Sequence, residues 1–366
     1  MNFRINKKKL NEVMQRISKL FSVTVIMPIF KGIQIKANRE GVSITITDGT
    51  VSMKEFISTD VEIYEDGECV VDGKLFFEII RKLSNENIWI RIENNQIKIK
   101  SGKAEMKLVI FQTNQYPQID FSYPKNKMQL NIEEFQNAIN KTLFAASDQQ
   151  TRPVLGGLNF NVDENLCIVV GTDSYRLARI EIPVISNQKM NITIPKKYLS
   201  LTSVIYTKNE DIFIYFDNHK VLMANSTVII QSTLLEGKFP DVERLLPEHF
   251  DTQIFFSSKL LIEALERTSF CKDDGVTSVI FEMLTDEIVL TSESKEIGSS
   301  IETVPYISIN GNKEVKFCCN QQYFLEALRA LGDNECILRF NEDMKPFILT
   351  NKKIEGEIQL LLPIRR

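Results

Sequence analysis

Histidine is nearly missing from this chain of 366 residues: His219 and His249 are the only two. A zinc site needs clustered Cys and His, and general acid–base work would have to rest on carboxylates, Lys or Tyr. Six cysteines (Cys69, Cys167, Cys271, Cys318, Cys319 and Cys336) lie scattered with no CxxC spacing. In a chain of this length they read as reduced, buried thiols of a cytoplasmic protein. No apolar run approaches the ~20 residues of a membrane span, and the opening Met1-Asn2-Phe3-Arg4-Ile5-Asn6 has no signal-like apolar core. No Gly-rich nucleotide loop is present either. The chain is thus expected to carry no metal or cofactor and to have no membrane partner. Positive charge is not in excess: 44 Lys+Arg stand against 48 Asp+Glu, net −4, which argues against a simple basic nucleic-acid binder.

What is present is an ordinary globular composition, 43% hydrophobic and 25% charged, with length for two or three domains. One plan occurs three times. The chain opens with strand-like FRI and the helical pattern Leu10, Val13, Met14, Ile17. The segment MQLNI with Phe135, Ala138 and Ile139 repeats it, and QIFF with Leu261, Ala264 and Leu265 repeats it again, at offsets of about 125 and 251 residues. Pro28-Ile29 before GIQIKANREGVSITITD matches Pro153-Val154 before GGLNFNVDENLCIVVGTD, and Asp48 matches Asp173. The third copy keeps the paired strands as SVIFEMLTDEIVLTSE. A second strand–helix start follows in each copy: CVVDGKLFFEIIRKL, NITIPKKYLSLTSVI and VKFCCNQQYFLEALRAL. Period-2 alternation between Asn/Asp/Gly turns marks the strands, and 3.6-residue periodicity marks the helices. The fold class is therefore α+β, with two helices and about eight antiparallel strands per copy. Breaks fall at SYPKN (122–126) and LLPEHFD (245–251), dividing the chain into 1–124, 125–249 and 250–366.

Paired helices on one face of a sheet layer, repeated three times, form an arc, and arcs close by head-to-tail contacts. Two copies would bring twelve helices inside a ring. At about 10 Å per helix, the circumference is roughly 120 Å and the mean diameter roughly 35–40 Å, wide enough for duplex DNA, one option among several that the geometry allows.

Four stretches narrow the reading: TRPVLGGL (151–158), GTDSYRLA (171–178), EGKFPDVERLLP (236–247) and LLLPIR (360–365). Together they resemble the bacterial DNA polymerase III beta subunit, the sliding clamp, and the resemblance runs through all three copies. It implies a non-enzymatic homodimeric ring that encircles double-stranded DNA without sequence specificity. Its implied partners are the DNA polymerase III alpha subunit, the clamp loader and repair proteins carrying clamp-binding peptide motifs. Loading would need an external ATP-driven loader.

The resemblance also implies a hydrophobic peptide cleft between copies two and three. Matching positions are Leu155, Thr172, Tyr175, Arg176 and Leu177, then Pro240 and Leu245. Leu360, Leu361, Leu362, Pro363 and Ile364 complete the set. Leu and Pro side chains suit an apolar floor, while Thr172 and Arg176 suit directional hydrogen bonds to an extended peptide. Tyr175 suits the rim, and Asp173 reads as the brace of a turn.

DNA-facing candidates are the helical cations Lys8, Lys9, Arg16, Lys74, Arg81 and Lys82 of the first copy. Lys141, Lys196, Lys197, Arg267 and Arg329 follow in the other two. Sparse phosphate contacts of this kind give weak, salt-sensitive attraction compatible with sliding. The loop around Gln149 and Arg152 aligns with a DNA-touching loop of the family. The loop before Pro28, SVTVIM, lacks the basic residue the family often has there, which argues against DNA contact by it.

Ring closure is legible in charge. Residues 1–124 hold 18 Lys+Arg and 15 Asp+Glu, net +3; residues 125–249 hold 13 and 14, net −1; residues 250–366 hold 13 and 19, net −6. A positive first copy meeting a negative third suits head-to-tail register. Lys98, Lys100, Lys103 and Lys107 would face Glu293, Glu296 and Glu302. Resemblance adds Met106 and Leu108 against Phe270 and Cys271 as the apolar centre. Two rivals stand: a divergent paralogous scaffold that docks peptides without ringing DNA, and a carboxylate hydrolase, for which no paired acids can be named.

Overall fold

A computed structural model describes residues 1–21, 27–149, 151–206, 211–271, 277–332, 334–342 and 344–365. Most of the loop before Pro28 therefore lies outside the described residues. The first repeat runs β1 (Asn2–Asn6), α1 (Lys7–Ile17), β2 (Gly32–Asn38), β3 (Gly41–Thr47), β4 (Val51–Ile57) and β5 (Val61–Glu65). It ends with β6 (Gly67–Asp72), α2 (Gly73–Lys82), β7 (Asn87–Glu93), β8 (Gln96–Ser101) and β9 (Ala104–Val109). The second repeat runs β10 (Asn126–Asn131), α3 (Ile132–Thr142), β11 (Gly157–Val162), β12 (Leu166–Thr172), β13 (Arg176–Pro183) and β14 (Ile185–Ser186). It ends with β15 (Met190–Pro195), α4 (Lys196–Ile205), β16 (Asp211–Phe216), β17 (Lys220–Ala224) and β18 (Val228–Thr233). The third runs β19 (Thr252–Ser257), α5 (Ser258–Thr268), β20 (Ser278–Met283), β21 (Glu287–Ser294), β22 (Gly298–Pro305) and β23 (Ser308–Gly311). It ends with β24 (Lys316–Asn320), α6 (Gln321–Leu331), β25 (Glu335–Phe340), β26 (Phe347–Asn351) and β27 (Ile358–Leu361).

Each repeat thus has two helices and, among the described residues, nine strands where the periodicity suggests about eight. The added strand is the short one (β5, β14 or β23) that precedes the second strand–helix start. Its short or mostly solvent-exposed segments leave little periodic signal.

The strand–helix starts follow from local chemistry. Asn6 Oδ1 accepts from the Lys8 and Lys9 amides at 2.9 and 3.3 Å, Asp72 Oδ1 from Leu75 at 2.9 Å, and Asn320 Oδ1 from Tyr323 at 3.2 Å. Each satisfies a donor that the first helical turn leaves unpaired. The apolar stripe then faces the sheet: Leu10, Val13, Met14 and Ile17 of α1 are all buried.

Two compact units emerge, residues 1–132 with 197–234, and residues 133–196 with 235–366. In the first, one sheet runs β5-β1-β7-β8-β9, and another contains β10-β16-β17-β18-β4-β3-β2-β6. In the second, a nine-stranded sheet runs β15-β11-β12-β13-β27-β26-β25-β19-β23, and a four-stranded sheet runs β22-β21-β20-β24. Sheets therefore cross the repeat boundaries. β18 pairs with β4, setting Val228 against Glu55 and Ser232 against Val51, and β13 pairs with β27, setting Arg176 against Leu361. Both splices are antiparallel and join the last strand of one repeat to the fourth strand of the repeat before it. The corresponding strands at the chain's extremes, β9 and β22, end their sheets.

Candidate functional site

The TD pair found in the sequence builds the same turn twice. Thr47 Oγ1 donates to the Val51 carbonyl and accepts from Gly49, while Asp48 Oδ1 accepts from the Thr50 and Val51 amides. Thr172 Oγ1 donates to the Arg176 carbonyl at 2.6 Å and accepts from Ser174, while Asp173 Oδ1 accepts from Tyr175 and Arg176. The tight turn puts Gly49 at φ +97° and Ser174 at φ +80°, the left-handed region, which side-chain bonds of this kind hold in place. Asp173 is a brace, as its spacing suggests.

That turn places β13 against β27 over an apolar cluster. Leu155, Val170, Leu177, Phe239, Val242, Ile348 and Leu360 are buried together, and Leu246, Phe250 and Leu362 pack half-buried against them. Strand alternation separates the three consecutive leucines. Leu360 and Leu362 face this cluster, whereas Leu361 joins the core of the third repeat with Phe347 and Leu349. Leu361 therefore packs the domain and does not wall the cleft. Leu245, on a short 3-10 turn, is 53% exposed, Tyr175 is 57% exposed, and Pro240 is also on the surface. Ile364 helps line a cavity of about 480 Å³ with Ile280, Phe317, Cys318 and Met344. The Ile364 amide donates to the Cys318 carbonyl at 2.8 Å, which lays the terminal segment along this wall. The arrangement is a buried apolar cluster, termed the trough, flanked by exposed Leu245, Tyr175 and Pro240.

Arg176 differs from the expectation that it serves an incoming peptide. Its Nε donates to Asp173 at 3.0 Å, Nη1 to Glu326, and Nη2 to the Phe144 carbonyl at 2.6 Å. The guanidinium carbon also lies 4.1 Å from the Tyr323 ring centre. Its donors are largely spent within the chain, so Arg176 is a strut beneath the trough. Val170, Phe239, Val242, Leu246 and Ile348 were not singled out by sequence. Phe239, Val242 and Leu246 lie inside the EGKFPDVERLLP stretch, where apolar residues three and four apart among charged ones carried the missing signal.

The first unit holds the repeat-related counterpart of this trough. A cavity of about 400 Å³ is lined by Phe30, Thr47, Thr50, Ser52, Pro117, Ile119, Gln231, Ser232 and Thr233. Thr50, Ser52, Gln231 and Thr233 stand where Tyr175, Leu177, Leu360 and Leu362 stand in the second unit. The frame is repeated, but the apolar anchors are not.

The helical cations divide into two groups. Lys8, Lys74 and Arg81 are exposed, as are the loop residues Gln149 and Arg152, and Lys9 is half-buried. Arg16 and Lys141 are instead engaged with buried carboxylates. Arg16 donates from Nε and Nη2 to Glu55 at 2.8 and 2.6 Å, and Lys141 Nζ donates to Glu357 at 2.5 Å. Burial pushes both carboxyls above their ordinary range, with the paired cations pulling the other way. Lys196 pairs with Asp148 at 2.8 Å, Lys197 with Asp48, Lys82 with Glu78 at 3.7 Å, Arg267 with Glu302 at 2.7 Å, and Arg329 with Glu266 at 2.6 Å. For Arg16 and Lys141 the sequence signal was a solvated helix face. Only the sheet behind the helix reveals the carboxylate.

Along β9, Met106 and Leu108 sit opposite the buried Ile99 and Ile97 and are half-buried, while Lys107 is exposed. Lys98 reaches Glu105 at 2.7 Å, and Lys100 and Lys103 are exposed. In the third repeat Phe270 is 51% exposed, whereas Cys271 is buried within the chain at 1%. Glu293 and Glu296 are exposed near the β21–β22 hairpin, and Glu302 lies on β22.

Family models described as the N-terminal, central and C-terminal domains of the DNA polymerase III beta subunit match residues 1–120, 129–241 and 243–365. A beta sliding clamp of Bacillus subtilis is 31% identical over 100% of both chains. One of Staphylococcus aureus strain Mu50 is 34% identical over 100% of this chain and 99% of its own. The crystal structure of the Bacillus subtilis DNA polymerase sliding clamp matches at a TM-score of 0.95 and 31% identity, covering 100% of this chain and 99% of that one. The DNA polymerase beta subunit of Streptococcus pyogenes matches at 0.94 and 26%, covering 100% of both chains. With all three repeats matched and full-length relatives above 30% identity, the chain belongs to the DNA polymerase III beta subunit family, the beta sliding clamps.

Proposed function

We propose that two copies of this chain close head to tail into a ring around duplex DNA, and that the ring holds polymerase on its template without catalysing a reaction itself. The observation that carries this reading is the pair of unfilled sheet edges. Inside the chain, every repeat-to-repeat joint is a last strand laid against a fourth strand, β18 on β4 and β27 on β13. Among the described residues, the one last strand and one fourth strand left over are β9 and β22. An exposed strand edge is a template for pairing, and one leftover last strand with one leftover fourth strand in each chain favours a head-to-tail dimer. Lys98, Lys100, Lys103 and Lys107 on one side and Glu293, Glu296 and Glu302 on the other supply register. Met106, Leu108 and Phe270 supply apolar contact, whereas Cys271 is buried within its own chain.

Retention on DNA is then topological, so weak contacts suffice. Lys8, Lys9, Lys74, Arg81, Gln149 and Arg152 support a sparse, sequence-independent attraction to the backbone. The trough around Leu155, Leu177, Leu360 and Leu362, with Leu245 and Tyr175 at its rim, is the docking place for peptide segments of polymerase alpha subunit, clamp loader and repair proteins. A setting in the cytoplasm accords with these partners.

The test is retention on nicked circular DNA after loading by a clamp loader. The ring reading expects the protein to stay on the circle for minutes and to leave at once after linearisation. Equal loss from both, or a strictly monomeric mass at micromolar concentration, overturns it.

A further inference from the structure

The first helix of each repeat carries a basic residue at its penultimate position: Arg16 in α1, Lys141 in α3 and Arg267 in α5. Each meets a carboxylate, and for Arg16 and Lys141 that carboxylate lies where the sheets of neighbouring repeats are spliced. Glu55 lies on β4 at the β18 splice, and Glu357 immediately precedes β27 at the β13 splice; neither side chain has exposed surface. The third pair, Arg267 with Glu302 on β22, is 55% and 23% exposed, because among the described residues no strand covers the outer side of β22.

Register shows that Glu302 and Glu55 hold the same place. Strand β2 pairs Gly32 with Asp72 before α2, and β20 pairs Ser278 with Asn320 before α6, which aligns Ile35 with Phe281. Ile35 faces Ile44 and Ile44 faces Glu55; Phe281 faces Leu290 and Leu290 faces Glu302. The last strands align in the same way. Ser101 and Ala104 bracket the turn into β9, as Asn225 and Val228 bracket the turn into β18. Val228 lies opposite Glu55, so a second copy's β9 in the same register sets its small Ala104 opposite Glu302.

We propose that Arg267 and Glu302 form the third member of this set of joint ion pairs, one that is buried only when β9 of a second copy closes on β22, and that the pair determines how tightly the ring closes. The inference rests on the ring reading above. It moves Arg267 from the DNA-facing cations to the interface. Burial makes the pair demanding: once water is excluded, losing one partner strands the other charge, whereas replacing both with apolar groups restores compatibility.

The experiment is the dimer dissociation constant of the full chain by analytical ultracentrifugation, at 0.1 and 0.5 M NaCl. Glu302→Gln and Arg267→Met are each expected to weaken the dimer about a hundredfold or more, at both salt concentrations, since a buried pair is little screened. The double variant R267M/E302L is expected to return within about tenfold of wild type. Thermal midpoints of the monomers should stay unchanged, because the pair is solvent-accessible before closure. A dimeric wild type whose single variants dissociate within threefold of it, or whose double variant stays as weak as the singles, overturns the inference and leaves the ring reading standing. A wild type that is monomeric at ten micromolar overturns both.

Discussion

Arg16 holds Glu55 in a two-pronged grip, Nε on one carboxylate oxygen at 2.8 Å and Nη2 on the other at 2.6 Å, with the carboxylate wholly enclosed. The bond ties the end of α1 to the strand that splices the first repeat to the second. Arg16→Met leaves the Glu55 charge buried without a partner and should cost about 3–5 kcal/mol. The double change R16M/E55L should recover most of it. Urea denaturation of the wild type and both variants checks the prediction; equal loss in single and double variants would refute it.

Stability at acid pH should carry two opposing contributions. Burial raises the Glu55 carboxyl, so the folded chain binds the extra proton, and this share of stability falls as pH climbs through the folded value. At Asp48 burial works upward too, but the hydrogen bond from Lys197 and two backbone amides prevails and lowers the carboxyl. Its share is present above the ordinary value and lost as pH falls through the folded one. Urea midpoints between pH 7 and 3 should therefore fall less steeply in Asp48→Asn and more steeply in Glu55→Gln than in the wild type.

Within the trough, stability and binding should separate by burial. Leu177 is 2% exposed and Leu245 53%. Leu177→Ala should cost about 2–5 kcal/mol of stability as well as peptide affinity. Leu245→Ala should leave the thermal midpoint within a degree or two while weakening a polymerase-derived peptide several-fold. Isothermal titration should find one site per protomer, since Ser52, Gln231 and Thr233 deprive the counterpart in the first unit of its anchors.

The two groups of helical cations should also part. Lys8→Glu, Lys74→Glu and Arg81→Glu should shorten the residence of loaded clamp on circular DNA, more so at low salt, with stability unchanged. Lys141→Gln should instead lower the urea midpoint, because Glu357 loses its partner. Residence measured on circles beside denaturation of the free protein distinguishes the two outcomes.

The repeats, their helices and the bracing role of Asp173 were legible in the sequence, because each rests on local rules, whereas the leucines of the trough came from the resemblance of whole stretches. Alternation makes strands, Asn and Asp cap helices, and Thr–Asp followed by a left-handed residue makes a tight turn. Leu155, Leu177 and Leu360 were found because they sit within distinctive stretches. Val170 and Ile348 were not, since an isolated apolar strand residue looks like any core position.

What the sequence determined by itself is therefore the repeating unit and the chemistry each copy presents. What the tertiary structure decided is how the copies join. Net charges of +3, −1 and −6 told that the ends differ, yet not that β18 lies on β4, that β27 lies on β13, or that β9 and β22 are left over. The same applies to Arg16, Lys141 and Arg176, whose partners lie 39, 216 and 150 residues away along the chain. Local periodicity carries no information over such separations. Pairing at that range is fixed only when packing brings the strands together and burial forces every charge to find its counterpart.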